Sequence, residues 1–117
     1  MTTMRVEGDA LVVRFTTGEK ILGLVRDLRV PASAVASVAA VDDGLEEAHG
    51  LRAPGLGLPG FRKLGTWRGR TGKTLVSVRR HQPAVRVHLT GEAFATLLIG
   101  DDDAAVLAAE LGTLVAR

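Results

Sequence analysis

The stretch RGRTGKT, Arg68 to Thr74, decides between two architectures. Its Gly72-Lys73-Thr74 is how a phosphate-binding P-loop ends, which would place the chain among nucleotide-binding α/β proteins. That signature also needs a glycine five positions before Gly72, and Trp67 stands there. It needs a helix directly after the lysine, whose N-terminus holds the phosphate, whereas Leu75-Val76-Ser77-Val78 reads as a strand. Arg70-Thr71-Gly72-Lys73 is therefore a hairpin turn, and the flanking chain is β.

Outward from that turn the β pattern repeats. Residues 62–68 and 74–80 form its two arms, and residues 85–89 follow after His81-Gln82-Pro83. Gly91-Glu92 turns the chain into a strand at 94–99. Toward the N-terminus, residues 10–16 place Leu11, Val13 and Phe15 on one side, and Thr17-Gly18 turns them into a second apolar run at 20–26. Val30-Pro31-Ala32-Ser33-Ala34-Val35 predicts a short proline-initiated helical turn leading to a strand at 36–41. Seven strands result. Between the third and fourth lies GLEEAHGLRAPGLGLPG, residues 44–60, a long loop with five glycines and two prolines. At the far end Asp101-Asp102-Asp103 caps a helix over about residues 102–116, with Ala104, Leu107, Leu111, Leu114 and Val115 on its buried stripe.

The chain has 117 residues, 46% of them hydrophobic, enough for one core and one domain spanning 1–117. It has no cysteine, which removes disulfides, thiolate metal sites and thiol catalysis and suits a reducing cytoplasm. The opening residues lack a signal-peptide core, so the expected location is cytoplasmic. Net charge is +2, but residues 62–81 hold seven basic side chains and no acid, so the remainder carries −5. Charge so segregated attracts an acidic partner or keeps a strand face solvated.

The order of elements, seven strands and a closing helix, resembles small bacterial pleckstrin-homology-like (PH-like) domain proteins. The resemblance extends to Val30-Pro31-Ala32-Ser33-Ala34-Val35-Ala36-Ser37-Val38, to LRAPGLGLPG, to Gly65-Thr66-Trp67-Arg68 and to the acids following Ile99-Gly100. It implies a seven-stranded antiparallel PH-like barrel of two nearly orthogonal sheets, capped by the C-terminal helix. Relatives that bind phosphoinositides do so through basic residues around the first hairpin. Here Arg14 and Lys20 are separated by a segment containing Glu19, so that site is not carried over.

Function follows less directly. His49, His81 and His88 show no metal-ligand spacing, and Ser33, Ser37 and Ser77 sit in no Gly-x-Ser-x-Gly elbow. Glu46-Glu47 is the one adjacent carboxylate pair outside the cap. No metal, no cofactor and no enzyme activity is expected. One Trp, three Phe and no Tyr leave little to stack on bases, which speaks against specific nucleic-acid binding. If Val76, Val78, Val85, Val87, Leu89 and Trp67 point inward, then Arg62, Arg68, Arg79 and Arg86 share one outer face, which Arg52 joins from the loop. At about 1 kcal/mol each on an anionic membrane, four arginines give about 4 kcal/mol, a dissociation constant on the order of millimolar.

Strands apolar on both faces (Leu22 and Leu24 against Ile21 and Val25, Val35 and Val41 against Val38) need cover, which the loop, the helix or a second copy supplies. The first expectation is a non-enzymatic, self-associating binding or scaffold module. Its contact surface is the arginine face with the loop residues Pro54, Gly55, Pro59 and Gly60. The second is peripheral membrane or small-anion binding through the arginines, and the third a small hydrolase.

Overall fold

The structure is a computed structural model that describes residues 2–23, 25–44, 56–58, 62–69, 72–79 and 81–115, with the backbone alone for 22, 23, 56–58, 62, 63 and 69. A smaller sheet contains β1 (Thr3–Glu7), β2 (Ala10–Arg14) and β3 (Leu28–Pro31), antiparallel in that order. Gly8-Asp9 closes the first hairpin between Glu7 and Ala10. Gly8 has φ +61°, as the first central residue of a type II′ turn requires, and a side chain there would be strained.

A larger sheet follows, made of β4 (Val35–Val41), β5 (Leu56–Leu58), β6 (Arg62–Gly69), β7 (Gly72–Arg79), β8 (Ala84–Leu89) and β9 (Phe94–Gly100), in the order β4-β8-β9-β7-β6-β5. The chain passes between sheets through a 3₁₀ turn, Ala32–Ala34. The Ala32 N–H donates to the Asp9 carbonyl at 2.8 Å, and the Thr90 N–H to the Ala34 carbonyl at 2.9 Å, so both sheets hold this corner.

β6 and β7 pair antiparallel as the sequence predicts, with Gly69 opposite Gly72, while residues 70 and 71 of the expected turn lie outside the described residues. The next connection differs from a meander. β9 inserts between β7 and β8, pairing antiparallel with β8 and parallel with β7. The corner before β8 is built for this. His81 takes φ +58°, and buried Gln82 donates from Nε2 to Asp102 Oδ1 at 3.2 Å and lies over Gly100, where a Cβ would fall 2.2 Å from its Oε1. Central strands need apolar residues on both faces, and Leu75, Val76 and Val78 on β7 and Leu97 to Ile99 on β9 are all buried.

Helix α1 (Thr17–Gly23) links β2 to β3, and α2 (Ala104–Val115) packs against β4, β8, β1 and the 3₁₀ turn. The main core joins Met4, Leu11, Val13 and Val30 of the smaller sheet to Leu64, Leu75, Val85, Val87, Leu97 and Ile99 of the larger, with Ala104, Leu107, Leu111 and Leu114 of α2 closing it. A second cluster, Trp67, Val76, Val78, Ala84 and Leu98, occupies the other face of the larger sheet.

The mainly β class, the two sheets and the C-terminal helix are as the sequence predicts. The seven-stranded, all-antiparallel barrel is not, since nine strands stand among the described residues and β7 with β9 is parallel. The second apolar run is not a strand where it is described, since residues 20–23 are helical and 25 and 26 are irregular. Thr16 and Glu19 form a capping box, the Thr16 N–H reaching Glu19 Oε1 at 2.9 Å and the Glu19 N–H reaching Thr16 Oγ1 at 3.2 Å, and the chain turns helical there. Strand β5 interrupts the expected 44–60 loop, and Val115 is 42% exposed, off the buried stripe of α2.

Candidate functional site

Core membership and register fix which way each strand residue points. Leu64, Leu75, Val85, Val87, Leu97 and Ile99 face the smaller sheet, and Trp67, Val76, Val78, Ala84 and Leu98 face away. By alternation Arg68 and Arg79, both exposed, project on the inner side beyond the core, while half-buried Arg86 follows Ala84 to the far side. The arginines therefore do not share one face. Arg68 sits opposite Lys73 near the hairpin turn and Arg79 opposite Arg62 at its other end. Arg79 lies six residue steps along β7 from Lys73, about 20 Å at roughly 3.3 Å per residue. Of the other expected contact residues, Arg62 is placed by its backbone alone, and Arg52, Pro54, Gly55, Pro59 and Gly60 lie outside the described residues, as do His49, Glu46 and Glu47. Trp67 is a buried anchor, 3% exposed.

Ser77, expected to point outward, points inward and is buried. Thr2 Oγ1 donates to Glu19 Oε2 at 2.7 Å and lies 2.7 Å from Ser77 Oγ. A hydroxyl has one proton, so with Thr2 donating to the carboxylate, Ser77 donates to Thr2. With the Thr16 N–H on its other oxygen, Glu19 ties the N-terminal segment, the start of α1 and the middle of β7 together. Thr2, Glu19 and Ser77 are each less than a tenth exposed, so the cluster is a pin under the surface. The base of the α1 excursion is closed by Asp27. Its Oδ1 accepts the Phe15 N–H at 2.8 Å and its Oδ2 lies 3.3 Å from Lys20 Nζ. The Phe15 bond first, and Lys20 after it, hold the Asp27 carboxyl below its ordinary pKa. The Arg14 guanidinium, bonded to both carboxylate oxygens of Glu7, does the same for Glu7.

No group of three His, Cys, Asp or Glu among the described residues is placed to hold a metal ion. Exposed His88 has Nδ1 3.3 Å from Thr96 Oγ1.

The outer strands of the sheets give a different kind of site. Each has one neighbour among the described residues and so presents backbone groups along its free side. β1 carries Arg5 and Glu7, β3 carries Arg29 and Pro31, and β5 has three residues with Gly57 at its centre. These charges, prolines and short lengths are how proteins keep edges from pairing. β4 has none of these three, and its irregularity is a register shift against β8 between Val35 and Ser37. Its seven residues, VASVAAV, hold no charge and no proline, and Ala36, Ser37 and Ala40 are exposed. Where β4 ends, an open groove of about 250 Å³ runs between Ala40, Val41 and Asp42 and the start of α2 at Ala104, Ala105 and Val106. Val106 is 68% exposed, and with Ile21 and Val115 it is one of three exposed large hydrophobic side chains among the described residues.

No helix among the described residues is long and apolar enough to cross a membrane. Comparison of the chain with protein-family models, with curated proteins and with solved structures finds no match.

Proposed function

We propose that this chain is a non-enzymatic binding module that makes protein–protein contacts by strand addition, with the free edge of β4 as its contact surface. The observation that carries this reading is the chemistry of Val35–Val41, an edge of seven residues without charge or proline beside an exposed apolar side chain on α2. An extended partner strand gains main-chain hydrogen bonds along β4, and the groove beside Ala40 and Val106 takes a side chain. A hydrolase reading has Ser77 engaged in the buried pin with Thr2 and Glu19. Binding to an anionic membrane through the arginines is weakened by their dispersal to two ends of one hairpin and to the opposite face of the sheet. The PH-like kinship is carried by the stretches around Val30–Val38 and Gly65–Arg68, and the parallel β7–β9 pairing weighs against a closed barrel of that type.

The test is binding of a fluorescent, acetylated peptide alternating threonine with valine, followed by anisotropy. Saturable binding that is lost in Ser37→Lys and kept in Arg68→Glu is expected. Binding that survives Ser37→Lys but disappears in Arg68→Glu and at high salt would return the contact surface to the arginines.

A further inference from the structure

We infer that the strand added to β4 is β4 of a second copy, paired antiparallel about a twofold axis near Val38, so that two six-stranded sheets become one continuous sheet. This rests on the reading of β4 as the contact edge and names its occupant. Three features of that edge fit a copy of itself.

The first is neutrality. Because Val35–Val41 carries no charge, the strand meets no like charge at any register when it pairs with itself, whereas β1 and β3 can set Arg5 or Arg29 against its own copy.

The second is the charge at the two ends of the strand. Asp42 and Asp43 follow β4, and Arg29 and Ser33, both exposed, precede it. Antiparallel pairing sets the aspartates of the two copies at opposite ends of the strand pair. Parallel pairing would gather four carboxylates at one end. Charge therefore selects the antiparallel, twofold arrangement, in which the same patch serves both subunits.

The third is shape. Ala36, Ser37, Ala39 and Ala40 are small, which keeps side-chain bulk along the strand low where a second backbone would approach. The same antiparallel pairing lays the Ala32–Ala34 turn of one copy toward the groove beside Val41 and Val106 of the other. The strand pair then has apolar contact at both ends, which a strand-only contact lacks and a stable interface needs.

Sedimentation equilibrium across micromolar to millimolar concentration tests the association, together with single cysteines placed in turn at positions 35 to 41. The chain has no cysteine of its own, so any disulfide-linked dimer reports the engineered position. A concentration-dependent dimer is expected, with oxidation linking residue 38 fastest and the yield falling toward 35 and 41, since antiparallel pairing juxtaposes only the residue at the axis with itself. Ser37→Lys should raise the dissociation constant by about tenfold or more while the circular dichroism stays that of the parent. Equal cross-linking at every position would overturn the antiparallel pairing. A monomer at all concentrations that still binds the threonine-valine peptide would overturn the second copy as occupant and leave the edge as a binding surface. A monomer that binds no peptide would remove both.

Discussion

β1 and β4 are both outer strands and both lie against α2, yet they are finished in opposite ways. β1 is five residues long and alternates buried Met4 and half-buried Val6 with exposed Arg5 and half-buried Glu7. Glu7 is held by Arg14 of the neighbouring strand. β4 is longer and carries only small or apolar side chains besides Ser37. The contrast separates two uses of a sheet edge. A charged, internally paired edge ends a sheet, while a neutral, open one is a place where a sheet continues.

The largest expected effect tests whether α2 supports both edges. Leu111 is fully buried on α2 within the main core. Leu111→Ala should lower unfolding free energy by about 3 kcal/mol in urea and speed amide exchange in β1 and β4 alike. Loss confined to one strand would mean that α2 supports only that edge.

A smaller effect should separate the two strands. Glu19→Ala removes the acceptor shared by Thr2 and Thr16 and the indirect anchor of Ser77, at about 2 kcal/mol. Because Thr2 leads into β1, exchange should quicken in β1 and around α1, while Val35–Val41 stays as protected as in the parent. Equal loosening of β4 would show that the two edges are not independent.

Acid should draw the same distinction more gently. Glu7 and Asp27 sit below their ordinary values in the folded chain, Glu7 through its bonds to Arg14 and Asp27 through the Phe15 N–H and then Lys20. Depressed carboxylates contribute stability that is complete above their unfolded values and is lost as pH falls through the folded ones. The melting temperature should therefore drop as pH is lowered from about 5 to about 3. Asp27→Asn should flatten that slope, and its loss should appear first around β1, β2 and α1, since β4 holds no titrating side chain. A melting temperature independent of pH in this range would mean that neither contact matters to folding.

Much of this contrast was legible in the sequence, and some was not, for identifiable reasons. The strands around Arg68 to Thr74, the 3₁₀ turn after Pro31 and the C-terminal helix declare themselves through alternation, proline and an acidic cap. The helix at Thr17–Gly23 was hidden by its apolar run, although Thr16 and Glu19 stood at capping-box spacing. Short β1 and β3 carry too few residues for a pattern. On β7 all four of Leu75 to Val78 are buried, so alternation could not say which faced inward, and the supposed arginine face followed from the wrong choice. The insertion of β9 beside β7 is a matter of distant pairing, on which periodicity is silent. The bareness of β4 is plain in the sequence VASVAAV. Its meaning depended on knowing that β4 lies at an edge.

The most direct measurement is amide hydrogen exchange of Val35–Val41 at low and at high protein concentration. Protection that rises with concentration along β4 and stays constant in β1 and β3 is the expected result. Protection in β4 that does not change between the two concentrations would contradict the assignment of that strand as the surface where copies meet.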